Sequence, residues 1–340
     1  ELDFREQGSF QHDVLQAFHE QLSREGKRWR DITTADARAR IGRIAQELMA
    51  NYREGLLRDS PQTVFTAQVL TRSLQDFIEV LVGWMHTRYQ FDPAAVELEF
   101  SDAGNVPAWK LDLGGGRQLL LRGRIDRVDL HRPPGAEAAR GVVIDYNSSH
   151  KKLDPLLLEN GVQLQLLSYL NVLQQWPAPQ ALLGVSRIVP AGVFYVNLRA
   201  RPAAGDSRAA LGDATAARKE AYRHTGRFNA EVLRQLDASG AAVGEQFKFR
   251  LKKDGTLDAR STEVLSTQEF GQLLARVESQ LRAMGERIFA GEASVDPYRK
   301  GTSTPCEFCD YAAVCRIDPW THEYRVLRRA GAVADEADEN

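Results

Sequence analysis

The chain has 340 residues, with 44 Lys and Arg against 46 Asp and Glu, a formal net charge of −2, 43% apolar and 26% charged residues. That length accommodates a large buried core in one or two domains, and the near-neutral balance excludes a protein held to polyanions by overall charge. Nucleic-acid contact, if present, has to come from local basic patches, and no apolar run approaches the roughly 18 residues of a membrane-spanning helix.

The opening ELDFREQGSF lacks the basic and apolar regions of a signal peptide, so a cytoplasmic location is expected. It also lacks a starting Met, so a preceding segment is expected. From about residue 8 to 91, apolar residues recur every three or four positions, which predicts helices. Within this region DITTAD supplies Thr and Asp suited to an N-cap before Ala37, and Pro93 is expected to close it. VELEFS, AWKLDL and RQLLLRGRIDRVDL then read as consecutive antiparallel strands, with a hairpin turn at Gly114 to Arg117. GVVIDYNS reads as a central strand, Pro155 to Gln175 as a helix, and Ala191 to Leu198 as another strand. Residues 199 to 262 are weakly patterned, with a loop followed by a short helix near Ala230. Gln268 to Phe289 is an amphipathic helix, followed by a cysteine-bearing turn, a short basic helix and the acidic tail ADEADEN. No Walker-type GxxxxGK[ST] sequence occurs, so the chain is no ATP-driven motor by itself.

Asp126 in GRIDRVD, sharing a strand face with Val128 and Leu130, and Asp145 in VVIDYNSS stand on successive strands. Carboxylates at the mouths of buried strands are costly unless paired, protonated or bound to a cation, and two of them suit Mg2+ or Mn2+. The alternative pairs Asp126 with Arg122, Arg124 or Arg127 and leaves Asp145 to cap a turn. His12, near the start of the first helix, is a capping residue or a ligand. Gln165 and Tyr169 are one helical turn apart and share a face. All three cysteines, Cys306, Cys309 and Cys315, lie in TPCEFCDYAAVC. An odd number in a chain without an export signal disfavours a disulfide framework; a redox pair or a metal or iron–sulfur site remains. Local basic runs that would contact DNA are Arg122 and Arg124, Lys151 and Lys152, Arg199 and Arg201, and the aromatic-interleaved Lys248, Arg250, Lys252 and Lys253.

Taken in order, G-x3-H with His12, GRIDRVD with Asp126, IDY-x-SS with Asp145 and Q-x3-Y with Gln165 and Tyr169 resemble RecB-type nucleases of the PD-(D/E)XK superfamily. The C-x2-C-x5-C ending resembles the carboxy-terminal nuclease domain of AddB-type subunits of AddAB helicase–nucleases. The resemblance implies an α/β, restriction-endonuclease-like mixed sheet flanked by helices, with a helical amino-terminal region and a cysteine-bearing carboxy-terminal segment. It implies domain boundaries at 1–95 for the helical region carrying His12, 96–200 for the nuclease core and 201–262 for an insertion. The helix and cysteine cluster then occupy 263–325 and the tail 326–340. It further implies Mg2+- or Mn2+-dependent cleavage of DNA, with His12, Asp126, Asp145 and the Tyr146 carbonyl on the metal and Gln165 and Tyr169 positioning a phosphate. Single-stranded DNA ends and an AddA-like helicase–nuclease subunit are the implied partners, in the processing of double-strand breaks for recombination.

The chain departs from the pattern twice. The family's lysine two residues after the second aspartate is Asn147 here. Asn donates a hydrogen bond but carries no charge, so an inactivating change, a naturally impaired nuclease or a displaced lysine compete as explanations. Lys151 and Lys152 have the wrong spacing to stand in without a rearranged turn. Secondly, the 4Fe–4S cluster of AddB-like domains takes a fourth cysteine from upstream of the His motif, and no cysteine precedes Cys306 here. A 4Fe–4S cluster is expected in the intact parent protein, with an incomplete cluster or a zinc with a water as alternatives. Competing readings are a freestanding CRISPR-associated-type exonuclease, disfavoured by the long helical start, and a non-catalytic DNA-binding scaffold.

Overall fold

The computed structural model describes residues 3–148, 151–199, 214–318 and 320–329. Ser149 of the IDY-x-SS sequence, Arg201 and the acidic tail from residue 330 lie outside the described residues.

Three long helices come first: α1 (Phe4–Arg24), α2 (Thr34–Asn51) and α3 (Pro61–Thr87). Each begins on a side-chain cap: Asp3 accepts from the backbone of Glu6, Thr33 from Asp36 and Ser60 from Thr63. Such caps satisfy amides that the first helical turn leaves without intrahelical partners. The α2 cap therefore falls within DITTAD.

Strands then follow in chain order with the remaining helices. These are β1 (Asp92–Phe100), β2 (Trp109–Gly114), β3 (Arg117–Leu121), β4 (Gly123–His131) and β5 (Ala138–Asn147). Next come α4 (Pro155–Glu159), α5 (Gln165–Gln175), α6 (Gln180–Leu183), β6 (Arg187–Asn197), α7 (Ala214–Ala221) and β7 (Thr225–Asn229). The chain continues with α8 (Leu233–Leu236), β8 (Val264–Leu265), α9 (Thr267–Phe289), β9 (Tyr298–Arg299), α10 (Ala312–Cys315) and β10 (Arg325–Val326). The main sheet runs β1-β4-β5-β6-β7-β8, with β5–β6 and β7–β8 parallel and the other pairs antiparallel. This is the mixed sheet the sequence implied, with β5 at its centre.

Two apolar layers cover the sheet. On one face, Val142, Ile144, Phe194 and Val196 pack with Phe10, Phe18, Leu74 and Phe77 of the amino-terminal helices. On the other, Val128, Leu130, Val143 and Val193 pack with Leu166, Leu170, Leu274 and Val277 of α5 and α9. Val143 and Ile144 thus serve opposite layers, which explains why β5 reads as an unbroken apolar run rather than an alternating one.

Four expectations require correction. β1 begins at Asp92 and includes Pro93, an edge position where no ladder amide is needed. The strands after β1 are not consecutive in the sheet: β2 and β3 form a separate hairpin, and β4 pairs directly with β1. The expected helix from Pro155 to Gln175 is two helices, α4 and α5, because Gly161 takes a left-handed φ of +73° between them. The expected basic helix after the cysteines is replaced by β10, which pairs in parallel with β9. The weakly patterned 199–262 segment carries β7, a five-residue strand that the sequence reading missed. Among the described residues, no helix is long and apolar enough to cross a membrane.

Candidate active site

Four elements from distant parts of the chain meet at one end of the sheet. α1 brings His12, β1 brings Glu97, and β4 and β5 bring Asp126 and Asp145. α1 packs close to the end of β5: a Cβ on Gly8 would stand 3.5 Å from Ser148 Oγ. The register of β1 on β4, Val96 with Arg127 and Leu98 with Ile125, puts Glu97 across from Asp126. Glu97 has φ +50°, an unusual backbone conformation for a side chain without local compensation, and its side chain is 9% exposed.

His12 Nδ1 lies 2.8 Å from Glu97 Oε1 and 3.8 Å from Asp126 Oδ1. Ligand atoms of His12, Glu97 and Asp126 all fall within 4.8 Å of one another, the one such group among the described residues. The other Asp126 oxygen accepts the Tyr146 backbone N–H at 2.7 Å. Asp145 stands outside the compact trio, with one oxygen accepting from Asn147 Nδ2 at 2.9 Å. Asp126 has no arginine partner among the described residues: Arg122 pairs with Asp102, Arg124 lies 3.6 Å from Glu97, and Arg127 pairs with Asp129.

The electrostatics are those of too many carboxylates for the charge present. Burial pushes the Asp126 carboxyl up, His12 pulls it down and Asp145 adds to the rise, leaving it at about 7. Burial disfavours the His12 imidazolium, but the Glu97 hydrogen bond and the charges of Asp126, Glu97 and Asp145 outweigh it and raise its pKa to about 9. Asp145 is raised by burial, with Lys151 as the foremost opposing influence. A site that gathers a proton this way is one where a cation is favoured, and imidazole nitrogen with carboxylate oxygens is a donor set suited to a divalent ion. These residues fit a divalent metal.

Beneath the trio lies a buried network. Arg127 and Asp129 are fully buried and joined by two hydrogen bonds of 2.8 and 2.9 Å. Arg127 also donates to Tyr146 OH at 2.8 Å, and Tyr89 OH donates to Asp129 at 2.8 Å. The Tyr146 ring lies edge-on to His12 at 5.8 Å between centroids, so this network braces both the ring and the strand that carry the site.

Gln165 and Tyr169 share a face as expected, with Gln165 Nε2 donating to Tyr169 OH at 2.8 Å. Tyr169 packs edge-on against Phe100 at 5.7 Å, and burial together with the charges of Asp145, Asp126 and Glu97 raises its hydroxyl pKa despite the Gln165 hydrogen bond. A Cβ on Gly123, on the strand that carries Asp126, would stand 3.4 Å from Tyr169 Cε1. A cleft of about 450 Å3 opens over His12, Glu97, Tyr146 and Asn147, and Arg124 lines both it and a neighbouring cleft along Phe100, Arg122 and Gly123. The Lys248–Arg250 segment is different: Phe247 and Phe249 point into the core at 0% and 5% exposure, so only the cations face solvent and no base-stacking platform exists there. Arg199 is tied to α1 by a hydrogen bond to Gln7 and stacks over Phe4 at 5.9 Å.

Cys306, Cys309 and Cys315 are free thiols, the last two exposed. They do not form a group within 4.8 Å, whereas thiolates on one tetrahedral zinc stand about 3.8 Å apart at Zn–S bonds of about 2.3 Å. This arrangement does not match a preformed zinc site.

Sequence reading missed Glu97. Alternation in VELEFS assigns Glu97 to a solvent-facing row, and the local kink turns it inward instead. The available signal was its place on a strand adjoining GRIDRVD.

A family model for the PD-(D/E)XK nuclease superfamily matches residues 1–316. Curated relatives include an ATP-dependent helicase/deoxyribonuclease subunit of Symbiobacterium thermophilum, 34% identical over 332 residues, covering 96% of this chain and 28% of the relative. The same-named protein of Moorella thermoacetica is 34% identical over 92% of this chain and 27% of its own length. That of Clostridioides difficile is 27% identical over 92% of this chain and 27% of its own length. The chain thus spans little more than a quarter of the length of these relatives. The acidic, histidine-bearing cleft at the sheet's end and the match along nearly all of the described fold place the chain in the PD-(D/E)XK nuclease superfamily.

Proposed function

We propose that this chain is the nuclease domain of a helicase–nuclease and hydrolyses phosphodiester bonds in single-stranded DNA ends, in the processing of double-strand breaks for recombination. The observation that carries this reading is the His12–Glu97–Asp126 group, whose His12 and Glu97 line an open cleft together with Tyr146 and Asn147, the two residues after Asp145. His12, Asp126, Asp145 and the Tyr146 carbonyl would hold Mg2+ or Mn2+, with Glu97 hydrogen-bonding His12. Such an ion supplies Lewis acidity, lowering the pKa of water and offsetting charge on phosphate oxygens. The chain's own residues would orient the reactants: Tyr169, hydrogen-bonded to Gln165 and packed on Phe100, would position a phosphate, and Arg124 and Arg122 line the clefts along which a phosphate backbone would run. Lys152, Lys248 and Arg250 are exposed cations that extend the contact. An AddA-like subunit is the proposed partner, and Cys306, Cys309 and Cys315 are proposed to contribute to a 4Fe–4S cluster in the parent protein.

Asn147 carries no charge where the family pattern has a lysine, and on this reading cleavage is slower than with a lysine at that position. Asn147→Lys raises Mg2+-dependent cleavage of a labelled single strand at least about tenfold, the lower range for restoring one charged transition-state contact. The same departure favours a second reading, a DNA-binding scaffold. If the lysine-restored protein binds DNA and Mg2+ without cutting, the scaffold reading replaces the nuclease one.

A further inference from the structure

Asn147 ends its reach on Asp145, so the positive charge of the site has to come from elsewhere in the fold. Asp145 on β5 pairs with Tyr195 on β6, and Tyr195 pairs with Thr225 on β7, forming one row across the sheet. The Lys151 segment lies against this row. Thr225 Oγ1 donates to the Lys151 backbone carbonyl at 3.3 Å, and the Lys151 ammonium returns over the Tyr195 ring, 4.4 Å from its centroid. That places the charge beside the strand neighbour of Asp145. Lys151 is half-buried and makes no ion pair with a carboxylate among the described residues, whereas Arg122 and Arg124 each face one. An aromatic face holds a cation without neutralising it, so the ammonium keeps its charge for a substrate.

We propose that Lys151, held over Tyr195, supplies the positive charge that Asn147 does not, and that the chain's cleavage depends on it. This rests on the nuclease reading above. The ammonium contacts a non-bridging oxygen of the scissile phosphate as water adds to phosphorus, giving up one proton to solvent, and one P–O bond breaks. The leaving oxygen takes its proton from solvent, and Lys151 stays protonated throughout. Its role is electrostatic, which Asn cannot fill.

A double-mutant cycle on Mg2+-dependent cleavage of a 5′-labelled single strand tests this, with kcat and KM measured separately and folding checked by thermal melting. Lys151→Gln is expected to lower kcat at least about tenfold in the chain as it stands, and Lys151→Arg to keep most of it. With Asn147→Lys present, the loss from Lys151→Gln is expected to shrink about tenfold, because two lysines then serve one charge. Tyr195→Leu, which removes the aromatic seat, is expected to lower kcat in the same background-dependent way. An equal loss in both backgrounds, or a loss confined to KM, overturns the proposal and makes Lys151 an ordinary DNA contact, with the nuclease reading intact. If neither the chain nor its Asn147→Lys variant cuts, the nuclease reading fails and the role of Lys151 falls with it.

Discussion

At the proposed metal site, protons and a divalent cation would compete for the same atoms, and the competition has a calculable size. In the metal-free protein His12 titrates at about 9 and Asp126 at about 7, for the reasons of burial and crowded charge given above. At pH 7 His12 is almost fully protonated and Asp126 about half so. A cation on these atoms needs both deprotonated, so binding releases about 1.5 protons at pH 7 and about 0.5 at pH 9. Integrating that release, the apparent affinity for Mg2+ rises roughly 100-fold from pH 7 to pH 9. Isothermal titration calorimetry in two buffers of different ionisation enthalpy reads both affinity and proton count. His12→Gln should flatten most of the slope. An affinity that changes less than about threefold over this range, with no buffer-dependent heat, refutes the reasoning. The metal-free protein shows the opposite trend in stability. His12 is raised from 6.5 to about 9, so its contribution is full below pH 6.5 and lost as pH rises through about 9. Asp126, raised from 3.8 to about 7, likewise favours the folded state at the acidic end and loses that contribution as pH climbs to about 7. The metal-free protein should melt lower at pH 9 than at pH 6, and saturating Mg2+ should narrow the gap.

Three further outcomes follow from the geometry. Arg127→Met strands the Asp129 carboxylate in the core and should cost about 3–5 kcal/mol in a urea titration, while Arg127→Met with Asp129→Leu should recover much of it. Gly123→Ala places a Cβ 2.9 Å from Phe100 Cζ and 3.4 Å from Tyr169 Cε1, and should cost about 1–3 kcal/mol by the same titration. Glu97→Gln removes a carboxylate from the His12 ring, so NMR titration of the imidazole should show its pKa well below that of the parent.

Much of this was legible in the chain because it rests on local pattern or on short spacings. His12, Asp126, Asp145, Gln165 and Tyr169 each announce themselves within a few residues, and the long helices carry their own caps. Glu97 was not legible because a single kinked residue reverses the face that strand alternation assigns. β7 was missed because Thr225 to Asn229 has few apolar residues, and its strand character comes from pairing with β6 rather than from intrinsic pattern. The return of Lys151 to the Asp145 row depends on a tertiary tether at Thr225, which no spacing rule contains.

The docking of α1 beside the end of β5 has a consequence for when the protein becomes chemically competent. The contact of His12 with Glu97 closes a loop of 85 residues, and that of Tyr146 with Asp126 one of 20. A partly synthesised or partly folded chain therefore contains the carboxylates but not the assembled His12–Glu97–Asp126 group. Long closures of this kind form late in folding, after local helices and hairpins. Undocking the first helix withdraws the imidazole from Glu97 and also uncovers the apolar layer that Phe10, Val14 and Phe18 build against the sheet. On the nuclease reading proposed above, such dependence on the finished fold would act as a safety catch set by chain topology.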